Sequence, residues 1–233
     1  MSGLVASRCF VYLDDLIIFG RNLQQHNRNL MDVFERLREV NLKIHPGKCS
    51  FLRKEVLYLG HILSDRGILP DQEKSRAMKD FPKPKNADEV RRFVAFANYY
   101  RKFIPIFASI ALPLNKLLKK DVEFNFNNDC ENAFEIIKQI LISPEILQFP
   151  DFEKEFILRT DASGFALGAV LSNHDDKPIA YGSKTLNPAE RNYSTIEKEL
   201  LAIVWAVKHY RPYLFGRHFK ILTDHRPSFI CSR

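Results

Sequence analysis

Two short apolar runs, residues 10–13 and 16–19, enclose the acidic pair Asp14-Asp15. Neither run contains Pro or Gly, and both are rich in β-branched and aromatic side chains. Each therefore reads as a strand, and together they read as a hairpin whose buried base holds the two carboxylates near solvent. Further on, Leu30, Val33, Phe34, Leu37 and Asn41 recur at helical spacing, with Arg28, Arg36 and Arg38 on the other side. Pro46-Gly47 follows that helix, residues 56–63 read as one strand, and Ser64-Asp65-Arg66-Gly67 reads as its turn. A second helical region opens at Pro70-Asp71 and runs to about Asp80, ahead of Pro82 and Pro84. Asn86 with Glu89 predicts a capping box for a helix carrying Val90, Phe93, Val94, Ala97 and Tyr100 on one side. Asn128 with Glu131 repeats that pattern before Phe134, Ile137 and Leu141, and Pro144 ends the helix. Residues 147–151 read as a linker. Strands follow at 156–160, 166–172 and 179–183, then a long helix at 195–210 and a strand at 218–223. The predicted fold class is mixed, α+β or α/β, in more than one domain.

Composition narrows the partners. The 233 residues are 45% hydrophobic, which suits packed cores, and a formal net charge of +7 fits a polyanionic partner. Cys9, Cys49, Cys130 and Cys231 form no Cys-x-x-Cys pair, so the pattern excludes zinc ribbons and dithiol redox motifs. Free thiols in a reducing compartment are expected. No apolar run approaches the roughly 20 residues that span a bilayer, and residues 1–7 lack a signal peptide's apolar region. The expectation is a soluble intracellular protein with no membrane partner.

Two groups of residues carry chemistry. Asp14 and Asp15 form either an ordinary acidic turn or a rigid tip that holds divalent cations against phosphate oxygens. In the second group, Asp161 ends an alternating strand and Asp224 ends the apolar strand with Phe219, Ile221 and Leu222. Glu199 falls between Ile203, Ala206 and Tyr210, in an apolar arc that also holds Ile196, Leu200 and Val207. A carboxylate facing the core is costly unless paired or bound to metal. Glu197, by contrast, has a structural task as the third residue of a capping box begun by Ser194. Asp161, Glu199 and Asp224 can thus converge on a two-metal hydrolase site, or serve separately as turn and ion-pair residues. Arg91, Arg92, Arg101 and Lys102 surround an aromatic-rich helix; they suit either a phosphate backbone or a solvated face.

The order of motifs is specific. It runs through Tyr12-Leu13-Asp14-Asp15, Lys48-Cys49-Ser50-Phe51, Tyr58-Leu59-Gly60-His61-Ile62, Gly67-Ile68-Leu69-Pro70-Asp71 and Asn98-Tyr99-Tyr100-Arg101-Lys102-Phe103-Ile104. It continues with Thr160-Asp161-Ala162-Ser163, the segment 193–202 around Glu199, and Thr223-Asp224-His225. Over essentially the whole chain this series resembles the reverse transcriptase–ribonuclease H region of gypsy-type (Metaviridae-like) retrotransposon Pol polyproteins. The resemblance implies a partial polymerase palm at 1–69, a helical thumb at 70–115, a connection at 116–154 and a ribonuclease H-like mixed sheet with helix at 155–233. It implies that Asp14 and Asp15 are palm metal ligands and that Asp161, Glu199 and Asp224 are ribonuclease H metal ligands. Tyr58, Leu59, Gly60 and His61 would grip the primer strand, and Arg91, Arg92, Arg101 and Lys102 would hold the duplex.

The implied cofactor is Mg2+, with Mn2+ as an alternative. Implied partners are an RNA–DNA hybrid, a template–primer duplex and dNTPs, with a second copy or other Pol chains as further partners. The implied setting is a cytoplasmic virus-like particle or the nucleus. The family's first palm aspartate lies upstream of its Tyr-x-Asp-Asp motif, whereas nine residues precede Phe10 here. Its fourth ribonuclease acid lies beyond Thr-Asp-His. The 233 residues alone are therefore expected to turn over poorly and to extend no primer. The alternative to an enzyme is a nucleic-acid-binding remnant or repurposed retroelement protein without catalysis; a third reading is a decayed gene product with no selected role.

Overall fold

The computed structural model describes residues 8–120 and 122–223, and the chain divides between Leu59 and Gly60 into two units. In the first unit, β1 (Cys9–Tyr12) pairs antiparallel with β2 (Asp15–Ile18), Cys9 opposite Ile18 and Tyr12 opposite Asp15. Only Cys9 of β1 is buried, so the expected buried base is narrow; Phe10, Val11 and Tyr12 are exposed. Helix α1 (Leu23–Glu39) starts at Asn22, whose side chain accepts from the Gln25 amide at 2.9 Å. Its Val33, Phe34 and Leu37 close on Cys9, Leu16 and Ile18. The buried Asn29 donates its Nδ2 to the Phe19 carbonyl at 2.7 Å, tying the hairpin's exit to the helix. Asn41, which the periodicity places on the helix, instead adopts φ 55 beyond its end. The Leu42 amide there reaches back to the Leu37 carbonyl at 2.9 Å, a left-handed stop that Asn tolerates. Strand β3 (Glu55–Tyr58) ends this unit.

Residues 56–63, expected as one strand, are broken at Leu59 and Gly60, both left-handed with φ 47 and 67. The second unit therefore begins with its own hairpin, β4 (His61–Ser64) and β5 (Gly67–Pro70). Helix α2 (Gln72–Lys79) is capped by Asp71, and α3 (Ala87–Tyr99) by Asn86, which accepts from the Glu89 amide at 2.9 Å. Short helices α4 (Phe107–Ile110) and α5 (Leu112–Lys116) precede α6 (Asn128–Ile142). Met78, Phe93, Phe103, Leu114, Phe134 and Ile137 belong to one buried cluster.

The cap of α6 is Asn127, one residue before the expected Asn128, and it accepts from the Cys130 amide at 3.1 Å. Adjacent asparagines offer the same chemistry; only the backbone turn selects between them. Asn127→Ala is expected to lower unfolding free energy by about 1 kcal/mol, with Asn128→Ala near neutral, in urea melts. Equal effects would remove Asn127 from the cap.

The sequence 147–151, expected as a linker, is a strap. The Leu147 amide and carbonyl bond to Ile68 at 3.0 and 2.7 Å, and its side chain is fully buried. The Gln148 amide then donates to Pro178 at 2.8 Å, and Asn173 bonds to the Phe149 carbonyl and the Asp151 amide. Beyond it lie β6 (Phe156–Ala162), β7 (Ala166–Ser172), β8 (Pro178–Thr185), α7 (Thr195–His209), α8 (Arg211–Leu214) and β9 (Phe219–Thr223). The described strands form a four-stranded sheet ordered β8-β7-β6-β9, antiparallel except for the parallel pair β6–β9. Helix α7 lies against β6 and β7, with Ala206 and Tyr210 joining Phe156, Leu158 and Leu171 in its core. The helical part is bonded to this sheet: the Ala108 amide donates to Ser183 Oγ at 2.9 Å, and Arg101 donates to the Ser183 carbonyl.

Candidate functional site

The two-residue link Leu13-Asp14 turns the hairpin, and Asp15 opens β2 opposite Tyr12. Leu13 takes φ 53 and is 84% exposed, so a bulky apolar side chain stands in solvent in a backbone region it rarely adopts. Such positions persist where surrounding pairing over-determines them, and here the result presents two consecutive exposed carboxylates. Tyr58 belongs to the same unit. Its own burial, and then the nearby Asp15 carboxylate, pushes its phenol above the usual tyrosine value. Folding thus brings the expected grip tyrosine into the field of an expected palm acid.

In the second unit, the Gly60 carbonyl accepts from the Tyr100 hydroxyl and the Asp71 amide, each at 3.1 Å. A Cβ at Gly60 would meet Tyr99 and Tyr100 at 3.3 Å, and the backbone is left-handed, so glycine suits this position on both counts. Burial, followed by Tyr99 and Asp71, raises the Tyr100 phenol to about 12. The His61 ring sits among Tyr99, Tyr100 and Phe103, with centroids 5.8, 5.6 and 5.8 Å away. Its ring is therefore partly committed to packing, while Tyr99 stays 56% exposed beside it.

The four basic residues divide. Arg91 and Arg92 are exposed on α3, Arg91 paired with Asp88 one turn back. Arg101 and Lys102 lie on the 3-10 turn after that helix. Arg101 turns inward to Ser183, and Lys102 extends over the Phe103 ring at 5.2 Å, its ammonium pKa lowered by burial. A basic stripe in sequence is thus two groups in space.

Asp161 is exposed near the C-terminal end of β6, opposite Gly168 of β7. Glu199 is 8% exposed and shares the buried face of α7 with Ala202 and Ala206. Two residues earlier, Glu197 completes the capping box, accepting from the Ser194 amide at 2.7 Å. That bond, then the Ser194 hydroxyl, holds its carboxyl below the usual range. The apolar arc drawn around Glu199 is corrected in part: Ile196 and Leu200 are 56% and 42% exposed. Apolar residues extend around much of α7, so the periodicity draws the arc too wide; the buried side is the one with Glu199, Ala202 and Ala206. Asp224 lies outside the described residues. It follows Thr223, which pairs with Thr160, and Thr160 immediately precedes Asp161. Among the described residues no group of three or more Asp, Glu, His or Cys side chains is placed to hold a metal.

Known proteins match this arrangement along its length. Residues 3–63 match the family described as reverse transcriptase (RNA-dependent DNA polymerase). Residues 126–221 match an RNase H-like domain found in reverse transcriptase. The retrovirus-related Pol polyprotein from transposon 412 of Drosophila melanogaster is 49% identical over 229 residues, covering 97% of this chain and 18% of that protein. Its counterpart from transposon 297 of the same organism is also 49% identical, over 96% of this chain and 21% of the relative. The Schizosaccharomyces pombe transposon Tf2-3 polyprotein is 42% identical over 94% of this chain and 17% of its own length. The chain thus spans about a fifth of these relatives. Among solved structures, a foamy viral protease-reverse transcriptase in complex with RNA/DNA hybrid superposes with TM-score 0.81 at 24% identity, over 92% of this chain and 30% of that one. The foamy viral protease-reverse transcriptase dRH in complex with double-stranded DNA gives 0.84 at 23% identity, over 94% and 39%. At these identities the likeness establishes the fold.

Proposed function

This chain belongs to the reverse transcriptase–ribonuclease H region of retrotransposon Pol polyproteins, and from that premise we propose that it carries acids of two phosphoryl-transfer centres. Asp14 and Asp15 serve nucleotidyl transfer onto a primer, and Asp161, Glu199 and Asp224 serve hydrolysis of RNA in an RNA–DNA hybrid. The observation that carries the reading is Glu199, a carboxylate 8% exposed beside the buried Ala202 and Ala206 on a helix packed on the strand of Asp161. The capping task at this end of the helix belongs to Glu197, not to Glu199. Burial of that carboxylate suits a cation-binding task. Mg2+, or Mn2+ in its place, would be held by these acids and would supply Lewis acidity and an activated water.

The protein's own contribution is to hold the acids on rigid elements. Pairing of β1 with β2 fixes Asp15, and the β6 ladder fixes Asp161. Tyr58, Leu59, Gly60 and His61 would contact the primer strand, with Tyr99 adding an exposed aromatic face; Arg91 and Arg92 would meet the duplex backbone. Residues 70–115 and 116–154 are read as thumb and connection. The proposed setting is intracellular, in a cytoplasmic virus-like particle or the nucleus, where the buried thiols of Cys9 and Cys130 stay reduced.

The test is a fluorescence-quenched RNA–DNA hybrid incubated with the chain at low salt, in magnesium and then in EDTA. Slow magnesium-dependent cleavage that EDTA abolishes is the expected result, since the 233 residues alone are expected to turn over poorly. Tight hybrid binding without cleavage would instead establish the non-catalytic binding reading. Neither binding nor cleavage would overturn both.

A further inference from the structure

Within the second unit, a cleft of about 380 Å³ opens between the helical part and β8, the edge strand opposite β9. Its walls include Asn98 of α3, Arg101, Asn115 of α5, Lys184 of β8, and Trp205 and His209 of α7. This is a different place from the proposed hydrolytic acids: along α7, His209 lies about 15 Å of helix rise beyond Glu199. The volume falls within the range of small-molecule sites, which run from roughly 300 to 1,000 Å³.

Among the described residues the lining carries two cationic side chains and two amides and no carboxylate. Lys184 is already neutralised by Glu190 at 2.6 Å. Arg101 is not: among the described residues no carboxylate pairs with it, and its guanidinium bonds to the Ser183 carbonyl and the Asn98 side chain. Those two bonds, and the Phe107 ring 5.9 Å away, orient the group while leaving part of its five-donor fork uncommitted. Across the cleft, Trp205 and His209 stack with centroids 5.1 Å apart and planes at 19°. Partial burial, and then the Arg101 charge, lowers the His209 pKa. An oriented cation, two side-chain amides and a flat aromatic face are what an anionic ligand with an attached ring or chain requires.

We propose that this cleft binds a phosphate-bearing ligand, its charge received by Arg101 and its uncharged part lying against Trp205 and His209. The proposal does not depend on the two carboxylate centres, and its test runs in EDTA so that they take up no metal. Trp205 is the chain's single tryptophan, so intrinsic fluorescence reports on the cleft directly. The probes are inorganic pyrophosphate, a nucleoside monophosphate and a short single-stranded oligonucleotide. A saturable change in Trp205 fluorescence is expected, together with an upward shift of the His209 titration seen by NMR. Arg101→Gln is expected to weaken binding about tenfold or more, the loss of a charged hydrogen bond. Because Arg101 also braces β8, the exposed Asn115→Leu provides a second variant, expected to weaken binding severalfold with an unchanged thermal melt. Response to pyrophosphate or the mononucleotide would assign the cleft to a free small ligand; response to the oligonucleotide alone would assign it to a nucleic-acid backbone. No saturable response to any probe at millimolar concentration overturns the proposal. So does a response that Arg101→Gln and Asn115→Leu, both folded, leave unchanged.

Discussion

Glu199→Gln is expected to reduce magnesium-dependent cleavage of an RNA–DNA hybrid by at least about 100-fold, since loss of a direct ligand should exceed the 10–100-fold typical of outer-shell changes. The amide keeps the shape of the carboxylate among Ala202 and Ala206 but removes the charge that, on the proposed function, recruits a cation. Glu197→Gln is the control. It removes a charge two residues away, yet a Gln at that position still completes a capping box. Cleavage by that variant should stay near the parent rate. Isothermal titration with Mn2+ gives a readout independent of turnover: Glu199→Gln should weaken binding, and Glu197→Gln should not. In EDTA the circular dichroism of Glu199→Gln should match the parent. If both variants lose the same activity, or Glu199→Gln loses none, the metal-ligand role of Glu199 is wrong.

The largest effect on folding is expected at Gly67. Its φ of 133 lies outside what an L side chain adopts comfortably, and an added Cβ would stand 2.3 Å from the Leu147 carbonyl oxygen. That oxygen is backbone, held by the Ile68 amide, so it has little freedom to withdraw. Gly67→Ala combines a forbidden dihedral with a clash on the strap that joins the β4–β5 hairpin to the sheet. A loss of about 3 kcal/mol or more follows, and a fall in Tm of roughly 6–12 °C. Gly164→Ala is the reference, because nothing lies within 4 Å of its added Cβ and its backbone needs no glycine. Differential scanning calorimetry of the two variants decides the matter. A Gly67→Ala melt indistinguishable from that of Gly164→Ala would show that the Leu147 strap yields without cost.

Both predictions turn on the difference between local and distant determinants. The hairpin at Asp14-Asp15, the caps at Asn86 and Ser194 and the helix stop before Pro144 were legible in the sequence. Each depends on residues within a few positions of one another, through dihedral preference or a cap bond. Glu199 was legible for a related reason. Helical periodicity assigned it an apolar side, and its burial agrees, although Ile196 and Leu200 of the same arc face solvent. A single buried acid carries more information than many apolar residues, because an apolar residue is accepted on either face while an acid is costly on one.

The remaining features depend on what lies opposite, which no local pattern contains. Asn29 is buried because the Phe19 carbonyl needs a donor across the hairpin–helix junction. Residues 147–151 look like a linker until Ile68 and Pro178 offer them backbone partners. Arg101 belongs to a basic stripe in one dimension, yet Ser183, far along the chain, turns it inward and makes it one wall of a cleft. By itself the sequence determined the family, the first hairpin and most of the helices, since those reside in short motifs and local energetics. Tertiary structure decided which side of α7 is inner, where Leu147 docks and which cations meet solvent. Those outcomes follow from pairing and burial between distant segments, whose free energies exist only once the segments are brought together.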